Sequence, residues 1–100
     1  MVFDVLAEPA RRRILDLLLD SERSVGELVS ELEMSQPAVS KHLRVLRTAQ
    51  LVSVRVDAQR RLYRIRPAPL REIDDWLAPY RSLWRSSLDA LERHLDQMDG

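Results

Sequence analysis

Apolar residues in this chain recur with a helical period up to Leu46, alternate from Leu51 to Ile65, and return to a helical period from Leu70 onward. Val39, Leu43 and Leu46 fall on one stripe of a helix that opens at Ser35, a good N-cap, with Pro37 in the first turn, where proline is tolerated. Gln36, Ser40, Lys41, Arg44 and Arg47 then lie on or beside the opposite face, which carries positive charge, a hydroxyl and an amide but no carboxylate. Just upstream, Ser24-Val25-Gly26-Glu27 has the capping-box pattern, and Leu28, Val29 and Leu32 predict a short helix ending near Glu33-Met34. Two short helices joined by a tight turn, the second basic on its outer face, predict a helix-turn-helix. Ile14, Leu15, Leu17, Leu18 and Leu19 make the stretch from Arg11 to Asp20 too apolar for a surface helix, so it is expected to be buried on several sides. Val2, Phe3, Val5 and Leu6, ended by Pro9, predict a brief helix or arm over residues 2 to 7.

After Thr48-Ala49-Gln50 the period becomes two. Leu51, Ser53, Arg55 and Asp57 alternate with Val52, Val54 and Val56, and Arg60 to Arg66 returns less strictly around Leu62, Tyr63 and Ile65. Asp57-Ala58-Gln59 is the connection of a β-hairpin, although it lacks the Asn-Gly or Asp-Gly of a secure two-residue turn. Arginines at positions 55, 60, 61, 64 and 66 make this hairpin a wing suited to the DNA backbone or minor groove. Leu70, Ile73, Leu77, Tyr80 and Trp84 then step by three and four, and Leu88, Leu91, Leu95 and Met98 resume the pattern after one extra step. A helix of this length extends roughly 40 Å at about 1.5 Å per residue, too far for the preceding body to bury. The expected dimer interface therefore contains Trp76, Leu77, Tyr80, Trp84, Leu88, Leu91 and Leu95, joined by Phe3 and Leu6 from the start of the chain. Pro79 predicts a kink there, or a break into two helices. The fold class is mainly α with a small β-hairpin (α+β). Residues 1–66 form a winged helix-turn-helix and residues 67–100 a C-terminal dimerisation helix, within one structural domain.

The 100 residues sum to zero net charge, which would argue against a nucleic-acid partner if the charges were evenly spread. They are not. Residues 1–34 hold four Arg against eight Asp or Glu (−4), residues 35–66 eight Lys or Arg against Asp57 alone (+7), and residues 67–100 four against seven (−3). Basic charge concentrated in one third of a domain is the mark of a positive patch. Having no cysteine excludes disulfides, thiolate metal sites and cysteine nucleophiles. No stretch reads as a membrane span or signal peptide, so a cytoplasmic protein with no membrane partner is expected.

The residues that carry these features resemble a known family. Ser35-Gln36-Pro37-Ala38-Val39-Ser40-Lys41-His42-Leu43-Arg44-Val45-Leu46, then Ala49-Gln50-Leu51-Val52 and Arg60-Arg61-Leu62-Tyr63, are similar to winged helix-turn-helix repressors of the ArsR/SmtB type. Glu8-Pro9-Ala10-Arg11-Arg12-Arg13-Ile14-Leu15 resembles the start of that domain, so the likeness covers residues 3 to 66. It implies a homodimer that binds a palindromic operator in double-stranded DNA and blocks transcription. By position it implies DNA contacts from Ser35, Gln36, Pro37, Ser40, Lys41 and Arg44 in the recognition helix, and from Arg60 and Arg61 in the wing. Gln50 stands where the family has glycine, which bears on how the recognition helix ends.

The family's metal sensors use cysteines in the helix before the recognition helix, where this chain has Val25, Glu27, Leu28 and Val29, none a soft ligand. A second kind of site pairs histidines with carboxylates on the C-terminal helices. Here it would rest on His94 with Asp89, Glu92 or Asp96, one imidazole per chain. The expectation is no metal and no cofactor, with regulation by an unidentified small-molecule or protein effector or by the protein's own abundance. His42, beside the core stripe, reads as a packed, hydrogen-bonded residue rather than a ligand. Two alternatives are a metal-responsive sensor using His94 and carboxylates at the dimer interface, and a winged-helix module for protein interaction. An enzyme is not expected: with two unconnected histidines and two glycines there is no catalytic constellation or phosphate loop.

Overall fold

The computed structural model describes residues 2–99. Helix α1 (Val2–Leu6) and helix α2 (Pro9–Leu18) are followed by strand β1 (Arg23–Ser24). Helices α3 (Val25–Leu32) and α4 (Gln36–Thr48) come next, then strands β2 (Val52–Asp57) and β3 (Arg60–Ile65), and helix α5 (Ala68–Asp99). Helix α2 begins two residues earlier than the apolar stretch implied, because Pro9 occupies its first turn, where a missing N–H leaves no bond unmade.

The local signals for α3 and α4 are realised atom by atom. Ser24 Oγ accepts from the Glu27 N–H at 3.2 Å while Glu27 Oε1 accepts from the Ser24 N–H at 3.1 Å, a complete capping box. Ser35 Oγ accepts from the Ala38 N–H at 3.3 Å and so caps α4. On the inner face of α4, Val39, Leu43 and Leu46 are at most 1% exposed and meet a core that includes Ile14, Leu28, Leu51 and Val52. Truncating Leu43 to alanine here should cost about 2–5 kcal/mol, which makes the orientation of α4 a consequence of core packing.

The end of α4 resolves the question raised by Gln50. Leu51 N–H bonds the Leu46 carbonyl and Gln50 N–H the Arg47 carbonyl, each at 2.9 Å, the paired closure of a Schellman motif. Gln50 takes the left-handed conformation itself, with φ 61°. The motif forms without glycine, at a conformational cost.

The hairpin has a third strand that the hydrophobic pattern did not reveal. β1 pairs with β3, giving the antiparallel order β1-β3-β2, with Arg23 opposite Tyr63 and Val52 opposite Ile65. Two residues are too few to show a period, and Ser24 serves both as strand and as N-cap. The expected wing is present, with Asp57 paired to Arg60 across a turn in which Ala58 has φ 58°.

The chain divides into a compact unit ending at Leu70 and a second beginning at Arg71. Helix α5 runs unbroken through Pro79, so of the kink or break expected there, the break into two helices does not occur. The proline removes the N–H that would serve the Asp75 carbonyl. One residue earlier, Arg81 Nη1 donates to the Asp74 carbonyl at 3.1 Å and to Asp74 Oδ1 at 2.7 Å, adding a side-chain tie across the proline. Among the described residues, no helix is long and apolar enough to cross a membrane.

Candidate nucleic-acid interface

Residues Gln36, Ser40, Arg44 and Arg47 step by four, four and three along α4 and form one wall of a cavity of about 390 Å³. The opposite wall is Arg61 and Tyr63, two apart on β3 and so on one face of the strand, and Val25 at the start of α3 completes it. Of the eight residues expected to contact DNA, four therefore meet here: Gln36, Ser40, Arg44 and Arg61. Ser35 and Pro37 are exposed at the N-terminal end of α4, and Lys41 is exposed on the same helix. Arg47 and Tyr63 were not among the expected contacts. Arg47 was legible as one more basic residue on the outer face of α4. Tyr63 reads as a strand residue, and its place opposite α4 is set by tertiary packing.

Arg60 takes a different course from Arg61. Strand alternation turns it to the other face, where Nη2 lies 3.4 Å from Glu27 Oε1. Arg55 pairs similarly with Glu22 at 2.7 Å, and Arg23 with Glu31 at 2.7 Å. The Glu22 carboxyl is held below the usual range chiefly by its hydrogen bond from Arg55, and Glu27 chiefly by bonds from the Ser24 backbone and side chain. By contrast, no described acid pairs with Lys41, Arg44, Arg47 or Arg61. Arg23, Arg55 and Arg60 are thus paired with acids within the protein, whereas Arg44, Arg47 and Arg61 around the cavity, like Arg64 on β3, have no described acid partner.

His42 is half-buried on α4, with Nδ1 accepting from Arg11 Nε at 3.3 Å, which ties α2 to α4. Among the described residues, no three His, Cys, Asp or Glu side chains come together as a metal site.

The second unit presents an apolar face. Trp76, Tyr80, Trp84, Leu88, Leu91 and Leu95 are all exposed, and the Trp76 and Tyr80 rings lie 4.9 Å apart at 41°. Leu77 is half-buried; in the first unit, so is Leu6, while Phe3 is exposed.

A family model described as bacterial regulatory protein, arsR family, matches residues 8–54. The transcriptional repressor SdpR of Bacillus subtilis is 30% identical over 76 residues, 76% of this chain and 84% of SdpR. The chain belongs to the arsR family. Among other relatives, the transcriptional activator HlyU of Vibrio cholerae is 48% identical over 63 residues, 63% of this chain and 58% of HlyU's own length. The homodimeric winged helix-turn-helix DNA-binding domain of Mb0332 from Mycobacterium bovis superposes with a TM-score of 0.66 at 28% identity, over 81% of this chain and 75% of that one. This member of the arsR family thus has the winged helix-turn-helix of a DNA-binding regulator. In arsR-family terms α3 and α4 are its helix-turn-helix, α4 its recognition helix and β2-β3 its wing.

Proposed function

We propose that this protein acts in the cytoplasm as a homodimeric repressor that reads a palindromic operator through α4 and the wing. The observation that carries the reading is the group of cations on α4 and β3, Lys41, Arg44, Arg47 and Arg61, that pair with no acid among the described residues. Ser40 and Gln36 beside them are short enough for close approach and able to hydrogen-bond base edges or phosphates. Buried Val39, Leu43 and Leu46 fix which face of α4 is offered. The exposed Trp76, Tyr80, Trp84 and Leu88 supply a surface for a second copy. Two copies related by a two-fold axis would present two recognition helices to successive major grooves, about 34–36 Å apart. Repression, in the sense of SdpR, follows if the dimer occupies promoter DNA, with release left to a small-molecule or protein effector or to the protein's abundance.

Selection of bound duplexes from random DNA tests the reading. The expected product is a two-fold symmetric sequence with half-sites one helical turn apart, bound by two chains in a sizing measurement. Fusion of that sequence to a reporter promoter should lower its output when the protein is expressed. Failure to enrich any sequence, or enrichment of a single asymmetric site, overturns it.

A further inference from the structure

We propose that a second cavity, between α1 and the C-terminal half of α4, takes a small carboxylic acid with an apolar body, and that this acid draws Arg44 away from DNA. The cavity and its ligand stand on their own geometry; the effect on DNA rests on the DNA-binding reading.

Val5 of α1 and Arg44, Val45, Thr48 and Ala49 of α4 line a space of about 340 Å³. Small-molecule sites span roughly 300–1,000 Å³ and combine apolar walls with a few placed polar groups. This lining has that character. Val5 is buried, Val45 and Ala49 are half-buried, and the two polar residues, Arg44 and Thr48, are exposed. The walls are also tied to each other. Arg11 Nη1 donates to the Val5 carbonyl at 3.2 Å while Arg11 Nε donates to His42 Nδ1 at 3.3 Å, so one guanidinium from α2 holds the α1 wall beside α4. Walls fixed before a ligand arrives need little ordering when it binds.

The polar groups select the ligand. Thr48 Oγ1 donates its proton to the Arg44 carbonyl at 2.9 Å, so that hydroxyl is left only as an acceptor. The donor at this cavity is the Arg44 side chain, which pairs with no described acid, and a guanidinium fork matches a carboxylate with two parallel bonds. Val5, Val45 and Ala49 offer the rest of the ligand aliphatic surface alone. A phosphate or a dicarboxylate would set charged oxygens against those side chains without donors, at a desolvation cost. A monocarboxylate with a short alkyl or aryl body meets both halves of the lining.

The effect on DNA follows from where Arg44 stands on its helix. At about 100° per residue, Gln36, Ser40 and Arg47 lie to one side of it and Val45, Thr48 and Ala49 to the other. Arg44 accordingly lines both the cavity facing β3 and the cavity facing α1. One guanidinium cannot hold a carboxylate in the second and a DNA group at the first, so acid and DNA oppose each other's binding, each by the same factor.

The test uses the full chain, labelled with nitrogen-15 and titrated with hexanoate and with benzoate, against hexanol and against sodium chloride at equal ionic strength. Saturable amide shifts are expected at Val5, Arg44, Val45, Thr48 and Ala49 with the carboxylates. Arg44→Gln removes a charge-assisted pair and should weaken hexanoate binding about tenfold. Ala49→Leu fills the cavity and should abolish saturation while operator binding persists. Arg44→Gln, at an exposed position, tests the site even where Ala49→Leu unfolds. Saturating hexanoate should lower the operator affinity of the unsubstituted chain about tenfold, the order of one lost arginine contact, and leave that of Ala49→Leu unchanged. Shifts that track ionic strength, hexanol binding as tightly as hexanoate, or undiminished binding in Arg44→Gln overturns the site. Shifts at Val5 and Ala49 on diluting the chain, with none on adding either carboxylate, give the cavity to a second copy and overturn it as well. Saturation that leaves operator affinity unchanged overturns the opposition. A chain that binds its operator but no carboxylate loses the site and keeps the DNA reading; one that binds hexanoate but no duplex does the reverse.

Discussion

Arg60 reaches from the wing to Glu27 of α3, its Nη2 3.4 Å from Oε1, the same oxygen that accepts the Ser24 N–H at 3.1 Å. One carboxylate therefore closes the capping box of α3 and also tethers the wing. Its charge is needed for both bonds, and it titrates below the ordinary glutamate value of 4.5.

Acid should loosen this arrangement. A carboxyl that titrates lower in the folded chain than in the unfolded one binds fewer protons when folded, so its contribution is complete above about pH 4.5 and fades as pH falls through the folded value. Glu22 behaves the same way through its bond from Arg55. Urea midpoints should accordingly fall between about pH 5 and pH 3, and the fall should be smaller in Glu22→Gln combined with Glu27→Gln. An equally steep fall in the double variant would assign the acid sensitivity to other groups.

The same tether separates two arginines that adjoin in sequence. Arg61 enters the cavity facing α4, whereas Arg60 is already engaged by Glu27. Arg61→Ala should flatten the salt dependence of DNA binding by about one unit per protomer, the counterion released at one phosphate, and Arg60→Ala by clearly less. Arg44→Ala, if that guanidinium reads a base, should cost about 1–3 kcal/mol on the operator and little on random DNA. Anisotropy titrations at two salt concentrations measure all three. Equal effects from Arg60 and Arg61 would show that the wing rearranges on DNA.

Three non-glycine residues hold left-handed backbone at turns, Glu33 with φ 55° after α3, Gln50 with φ 61° after α4 and Ala58 with φ 58° at the wing tip. An L-residue pays roughly 1–2 kcal/mol for that conformation, and glycine's extra freedom in the unfolded chain takes back part of the relief. Gln50→Gly and Ala58→Gly should each stabilise the fold by about 0.5–1 kcal/mol, read from urea unfolding. A loss of stability in either would mean that the side chain, not the backbone angle, dominates at that turn.

What could be read from the residues alone was the local part of this fold. The Ser24 and Ser35 caps, the Val39-Leu43-Leu46 stripe and the alternation through Val52, Val54 and Val56 are encoded within a few positions of one another. The glycine-free ends at Gln50 and Ala58 were visible only as missing signals, because tertiary closure supplies what the residue type does not. Pro79 was misleading as a break: a proline deletes one hydrogen bond, and the turns on either side of it keep theirs. The site was half legible, since helical spacing groups Gln36, Ser40 and Arg44 but cannot say which strand face meets them. That pairing, which brings in Tyr63 and separates Arg61 from Arg60, is decided by the packing of α4 and β3.

The assembly can be tested without disturbing the core of a single chain. Trp84 is 53% exposed and Leu88 64%, one helical turn apart on α5, so acidic substitutions there meet solvent in a monomer. In a two-fold dimer sealed by that face, they would bring like charges together in a desolvated seam. Trp84→Glu combined with Leu88→Glu should keep its helix content by circular dichroism yet sediment as a monomer at concentrations where the unsubstituted chain is a dimer. Its affinity for the selected operator should fall toward that for an isolated half-site, because the second recognition helix no longer comes with the first. The unsubstituted dimer should in turn reject an operator with about five base pairs inserted between half-sites, since half a helical turn moves the second site to the opposite side of the duplex. A double variant that stays dimeric, or undiminished binding to the spaced operator, sinks the paired arrangement and leaves each chain reading DNA alone.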